Sequence, residues 1–228
     1  MVTRDGVVKV PGSVFIDGLG SSEMGHSMFY IHHTTETERY GRCIGRPYGF
    51  VTAAVLNAEG DEVPPGQVGF LGLKAPSLSP GYWNDSVTTY RSRVNGWSLY
   101  GDLVYRTEDG YFYHMDRATD AAELGDGRQV FTALSEERVL ATMPEVLDCT
   151  AVVVAEDGGV VTDILLELDP DADPEIDRTE RVRTALGEPA GSTLRRVVAV
   201  STEDIPLTVT GKVRKFMLRQ RHLTDSVR

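Results

Sequence analysis

The chain has 228 residues, a formal net charge of −11, 41% hydrophobic residues and 25% charged residues. That balance supports a folded core rather than a disordered chain, and the acidic surplus argues against nucleic acid as a partner. No apolar stretch approaches the roughly 20 residues of a membrane span, and Met1-Val2-Thr3-Arg4-Asp5-Gly6 lacks the basic-then-apolar layout of a signal peptide.

Val7-Val8-Lys9-Val10 and Ser13-Val14-Phe15-Ile16 read as short strands. Residues 50–56 and 67–73 are extended candidates flanking a turn-rich segment that holds Glu59-Gly60-Asp61 and Pro64-Pro65-Gly66. Trp97 to Tyr105 and Tyr111 to His114 flank Thr107-Glu108-Asp109-Gly110, a hairpin signal. After these, Ser135 with Glu136 and Glu137 is the expected cap of a helix reaching about Met143. Asp148 to Ala155, Val160 to Leu168 and Arg195 to Ser201 are apolar strand candidates. Pro174 is the expected opener of a helix ending at Leu186, and a terminal helix is expected from about Gly211. The predicted class is α+β: a small distorted antiparallel β-barrel or curled sheet over 1–117, then an α+β domain over 118–228. Cys43 and Cys149 are isolated thiols, which fits structural roles in a reducing, cytoplasmic setting.

From Lys212 to Arg221 the chain carries Lys212, Arg214, Lys215, Arg219 and Arg221 and no acid. Lys212 follows a turn that holds Thr208, Thr210 and Gly211. A cation on such a loop can neutralise charge that develops on a carboxylate or phosphoryl oxygen. The same residues also read as an ordinary turn before a solvated basic helix.

Pro206, Thr208, Gly211 and Lys212, with Lys215 in place of the usual arginine, resemble the closing motif Pro-x-Thr-x-x-Gly-Lys-x-x-Arg of the adenylate-forming enzymes. Asp17-Gly18-Leu19-Gly20-Ser21-Ser22-Glu23-Met24 is similar to a run typical of benzoate-type CoA ligases in that superfamily. Val63 to Leu71, the segment Gly81-Tyr82-Trp83-Asn84, Gly96 to Asp102, and Asp116-Arg117 resemble further motifs in the family's order. The resemblance therefore runs from about Val14 to Leu218. It implies ATP or AMP as ligand, with CoA or phosphopantetheine as a thiol acceptor. Asp17, Gly20, Ser22, Asp102 and Arg117 would contact the nucleotide, Glu23 would help to hold Mg²⁺, and Lys212 would be catalytic. By the same resemblance, residues 118–228 are a mobile lid whose hinge is Thr119.

There are departures from the family pattern. Tyr100 stands where a threonine is usual, Thr119 where the hinge is an acid or lysine, and Glu123 where a lysine is common. The phosphate loop and the larger subdomains that build most of the acid pocket have no counterpart in this sequence. Two functions follow. The chain is a truncated acyl-adenylating ligase piece for an aromatic or similar carboxylic acid, inactive alone and completed by a separate N-terminal-half polypeptide. Alternatively it is a non-catalytic binding or scaffold module that contacts a carrier protein or partner enzyme. In either case Leu19, Met28, Phe29, Ile31 and Val51 are expected on a bared apolar surface, covered in a homo-oligomer or by a partner.

Acidic composition disfavours anionic ATP or CoA except at local basic spots, namely Arg42, Arg46, Arg117 and the Lys212 segment. His26, His32 and His33 are not spaced as a helical metal-ligand pair. Tyr82, Trp83 and Trp97 are expected to pack, and Glu136-Glu137 to be a first-turn charge pair.

Overall fold

A computed structural model describes residues 2–3, 6–7, 12, 14–34, 41–156 and 158–225, with the backbone alone described for 2–3, 6–7 and 222–225. Residues 8–10 of the first expected strand, and Ser13 of the second, lie outside the described residues. The chain divides into two compact units, residues 1–115 and 116–228.

In the first unit, β1 (Val2–Thr3) pairs with β2 (Gly6–Val7) as a small antiparallel ribbon. The strands β3 (Phe15–Asp17), β4 (Phe29–His33), β5 (Cys43–Pro47), β6 (Thr52–Leu56) and β7 (Gly69–Lys74) are followed by α1 (Ser86–Arg91). Next come β8 (Arg93–Val94), β9 (Trp97–Arg106) and β10 (Phe112–Arg117). They form one sheet in the order β3-β4-β5-β10-β9-β7-β6, with β8 paired to β9. Among the described residues that sheet is open, so the curled sheet of the sequence reading holds and a closed barrel does not form. The hairpin turn between β9 and β10 is where the residues placed it: Thr107 N donates to Tyr111 O at 2.9 Å and Gly110 N to Thr107 O at 2.9 Å. The short helix α1 was not expected. Asp85 caps it, accepting from Thr88 N at 2.9 Å and from Thr88 Oγ1 at 2.7 Å.

One expectation about this unit is overturned. Met28, Phe29, Ile31 and Val51 are buried, not bared, and Leu19 is partly buried against the same core. The alternation of β4 explains it: Phe29 and Ile31 point inward while Tyr30 and His32 are exposed. Met24, Met28, Val55, Leu71, Leu73 and Val104 complete a core that this unit makes from its own residues. Val14, Phe15 and Ile16, at and beside the sheet's edge strand β3, are instead among the exposed apolar residues.

The second unit is built on β13 (Val146–Glu156), β14 (Gly159–Leu168) and β15 (Leu194–Val200), preceded by the hairpin β11 (Ala121–Glu123) and β12 (Gln129–Phe131). β13 and β14 are antiparallel, and β14 and β15 are parallel, joined by a crossover that contains α3 (Thr179–Leu186). Period-two alternation divides β13 between two cores. Cys149, Ala151 and Val153 pack with α2 (Thr132–Thr142) and α3, while Val152 and Val154 meet Leu218 of α4 (Lys215–Asp225). Strands covered on both faces read as the continuous apolar runs seen in the sequence.

Three boundaries need correction here. The helix expected after Ser135 begins at Thr132, and Ser135 sits inside it, its Oγ donating to Phe131 O at 2.9 Å. Its start is capped from outside by Asp116, whose Oδ2 accepts from Thr132 Oγ1 at 2.9 Å and Ala133 N at 3.1 Å. The helix expected from Pro174 begins at Thr179, because Arg178 folds back to Ile176 O and Asp173 O and holds 173–178 as a turn. The terminal helix begins at Lys215 rather than near Gly211, since Leu207 and Val213 bridge and close the residues between them into a turn.

Candidate functional site

Asp17 ends β3, and the loop between β3 and β4 carries Gly18 to Glu23. Gly20 bridges Ser27, and Met28 N donates to Leu19 O at 2.7 Å, which closes the loop on itself. A Cβ on Gly20 would stand 2.9 Å from His26 O and from Ser27 Cα, so this glycine serves the approach of its own chain. Buried Met24 anchors the loop, and Ser77 Oγ and Ser79 N donate to the Met24 and Glu23 carbonyls at 3.0 and 2.7 Å. Ser22 is thereby left exposed on the tip. Asp17 Oδ1 accepts from Gly18 N at 2.7 Å, and Glu23 Oε1 accepts from Tyr82 OH at 3.1 Å.

Among the described residues no group of three or more His, Cys, Asp or Glu gathers to hold a metal ion. Glu23 is a single carboxylate, which suits Mg²⁺ delivered with phosphates better than a cage made by the protein. The histidines of this region meet aromatic rings: His26 lies against Tyr48 and Phe50, His32 against Tyr30, and His33 against Phe15.

Asp102 is placed by the middle of β9 and is only 4% exposed. Its Oδ1 lies 3.2 Å from His114 Nε2 of β10, and His114 Nδ1 lies 3.0 Å from Arg42 Nη2. Arg42 Nε also donates to His114 O at 2.6 Å. Neither His114 nor Arg42 was singled out as a partner of Asp102, although the hairpin turn carried the signal. Counting outward from the Thr107–Tyr111 pair sets Asp102 and His114 diagonally on one face. Tyr100, the residue in place of the family threonine, packs on the core and accepts from Arg93 Nη1 at 3.3 Å.

Two of the supposed basic spots are engaged. Arg42 is tied to His114, while Arg46 donates to Asp109 O at 2.6 Å and lies 4.4 Å over the Tyr111 ring. The packing expected of Trp83 fails, since that residue is 98% exposed. Trp97 does pack, with Lys74 Nζ 4.0 Å over its ring.

In the second unit, Arg117 is exposed and follows buried Asp116, and exposed Thr119 lies in the turn where Asp120 N donates to Arg117 O at 2.9 Å. Glu123 is exposed on β11. Lys212 sits on a loop pinned by Thr208. Lys212 N donates to Thr208 Oγ1 at 3.0 Å and Thr208 N to Lys212 O at 2.8 Å. Gly211 takes the left-handed conformation, φ +80°, that turns the chain there.

The Lys212 side chain is exposed and forms no ion pair among the described residues. Its neighbours differ. Lys215 bonds Glu136 and Thr132, Arg219 pairs with Asp120, and Arg221 Nη1 donates to Asp204 O at 3.1 Å. The solvated basic helix is therefore corrected to a helix stapled down by its cations. The Glu136-Glu137 surface pair is corrected too, because Glu136 turns inward to Lys215 and to Ala151 N.

No protein-family model matches the chain. It is 45% identical, over 96% of its length, to a 3-aminoavenalumate diazotase of Streptomyces sp, and spans 42% of that protein. It is 28% identical, over 93% of its length, to the 3-hydroxybenzoate–CoA ligase of Aromatoleum sp. (strain CIB), of which it spans 40%. Among solved structures it resembles ATP-bound MatB from Rhodopseudomonas palustris, with a TM-score of 0.74 at 26% identity, over 91% of this chain and 40% of that one.

Proposed function

We propose that the chain, which resembles adenylate-forming CoA ligases over about 40% of their length, carries the ribose-holding and closing parts of an adenylating site. An oxygen of an acid attacks the α-phosphorus of ATP, the bond to the β-phosphate bridge breaks, and pyrophosphate leaves. Asp102, Arg117, Asp17, Gly20 and Ser22 would contact the nucleotide. Glu23 would share Mg²⁺ with the phosphates, and that ion supplies charge neutralisation there. Lys212 would offset the negative charge that grows on the α-phosphate and the attacking oxygen.

The observation that carries this reading is the contrast within one short segment: Lys215, Arg219 and Arg221 bond to protein groups while Lys212 is presented to solvent. The acid would be an aromatic carboxylate, passed to CoA or to a carrier thiol, and the rest of the site would come from protein outside this sequence. The test is ATP–pyrophosphate exchange with a panel of aryl acids, using this chain alone and together with candidate N-terminal halves. Exchange is expected only in the combination. No exchange in any combination would favour the scaffold reading instead, a module that contacts a carrier protein or partner enzyme.

A second reading is favoured by the higher identity to the diazotase, 45% against 28% for the hydroxybenzoate ligase. To become a diazonium ion an aromatic amine must gain one nitrogen and lose water, so the activated oxyacid would be nitrite. A nitrite oxygen would attack the α-phosphorus and release pyrophosphate. The amine nitrogen would then bond to the nitrosyl nitrogen as the N–O bond to AMP breaks and a proton is lost. Proton uptake and loss of water from the nitrosamine would complete the step. Exchange driven by nitrite rather than by carboxylic acids separates the two readings.

A further inference from the structure

Asp102 is a buried carboxylate on a strand, and a carboxylate that receives two ribose hydroxyls must be held in one orientation. His114 is placed to hold it so. Its Nε2 lies 3.2 Å from Asp102 Oδ1 and its Nδ1 3.0 Å from Arg42 Nη2. A guanidinium has donors only, so Nδ1 must accept, and the ring proton therefore stands on Nε2 and points at Asp102. Arg42 is fixed in turn by backbone bonds in both directions: Arg42 Nε donates to His114 O at 2.6 Å, and His114 N donates to Arg42 O at 2.8 Å. The three groups thus form a directed chain within one unit, from Arg42 through one tautomer of His114 to Asp102.

We propose that His114 is a positioning residue that orients Asp102 for the ribose of the bound nucleotide; this rests on the nucleotide reading above. The reason a histidine suits the place is that it is one of few side chains that accept at one end and donate at the other. An amide does the same over a similar span, and a purely apolar side chain does neither.

The experiment compares binding of AMP and 2′-deoxy-AMP to the full chain by calorimetry, in the unsubstituted protein and in Asp102→Ala, His114→Leu and His114→Gln. A charge-assisted hydrogen bond to the missing hydroxyl gives the unsubstituted chain a preference for AMP of about tenfold or more. Asp102→Ala and His114→Leu are both expected to reduce that preference to about twofold or less, and His114→Gln to restore most of it. A merely structural role would lower affinity for both nucleotides and leave their ratio unchanged.

A preserved ratio in His114→Leu alongside a lost one in Asp102→Ala overturns the role of His114 alone. A preserved ratio in Asp102→Ala, or no AMP binding by the unsubstituted chain, overturns the nucleotide reading and this inference with it. Nitrogen-15 NMR of the free chain gives a second check that needs no substitution. The His114 ring is expected with Nε2 protonated and Nδ1 bare, and the opposite tautomer would refute the proposal.

Discussion

Lys215 Nζ lies 2.7 Å from Glu136 Oε1 and 2.7 Å from Thr132 Oγ1, so the ammonium at the start of α4 is seated on the first turns of α2. Thr132 passes the contact on to Asp116, the residue before Arg117. Burial pushes the Glu136 carboxyl up, more than Lys215 pulls it down.

That shift makes the stability of the second unit pH-dependent. The folded-state pKa of Glu136 exceeds its ordinary value of 4.5. Its contribution is therefore fully present below that ordinary value and is lost as pH rises through the folded one. Thermal unfolding of the unsubstituted chain should shift downward as pH rises above that ordinary value. Glu136→Gln should flatten this slope and Lys215→Met should steepen it. Lys215→Met should also lower stability by about 1–3 kcal/mol, because it leaves a mostly buried carboxylate without its cation.

Cys149 tests the same region chemically. Burial, with Glu136 and Asp148 nearby, pushes its thiol far above the ordinary value. Since the thiolate is the reactive form, iodoacetamide at pH 8 should leave Cys149 unmodified in the native protein. Labelling should follow the rate of unfolding as denaturant is added, read by peptide mass spectrometry.

Gly45 tests the first unit. It holds φ +87° on β5, and a Cβ there would collide with Tyr30 O across the β4–β5 pair. Gly45→Ala should cost about 2–4 kcal/mol through strain and lost pairing. The denaturant midpoint of the first unit should fall while that of the second stays put.

The Lys212 loop separates chemistry from folding. Lys212→Ala removes an exposed side chain and should leave the thermal transition within about 0.5 kcal/mol of the parent. If a partner restores adenylation, Lys212→Ala should lower kcat roughly 10²-fold or more with little change in KM. Thr208→Val removes the hydroxyl that accepts from Lys212 N, and should lower kcat in the same direction by about tenfold. An assembled enzyme that works at full rate with Lys212→Ala would remove this residue from the mechanism.

The sequence by itself determined most of the order of elements and named the candidate site residues. The Asp109-Gly110 turn, the apolar runs of β13 and β14, and the Thr208–Lys212 loop are local signals, written in neighbouring residues. It also supplied the α+β class, because alternation and turn chemistry act over a few residues at a time. What tertiary structure decided was the partner of each polar group. Asp102 meets His114 and Arg42, Glu136 turns from the expected surface to Lys215, and Asp116 caps a helix that Ser135 was expected to start. Each of these contacts joins residues well separated in sequence, and each was chosen because a buried polar group without a partner is costly. The same holds for Met28, Phe29 and Ile31: their apolar character is plain in the sequence. Only the folded sheet determines that they close a core within the first unit instead of lying bare.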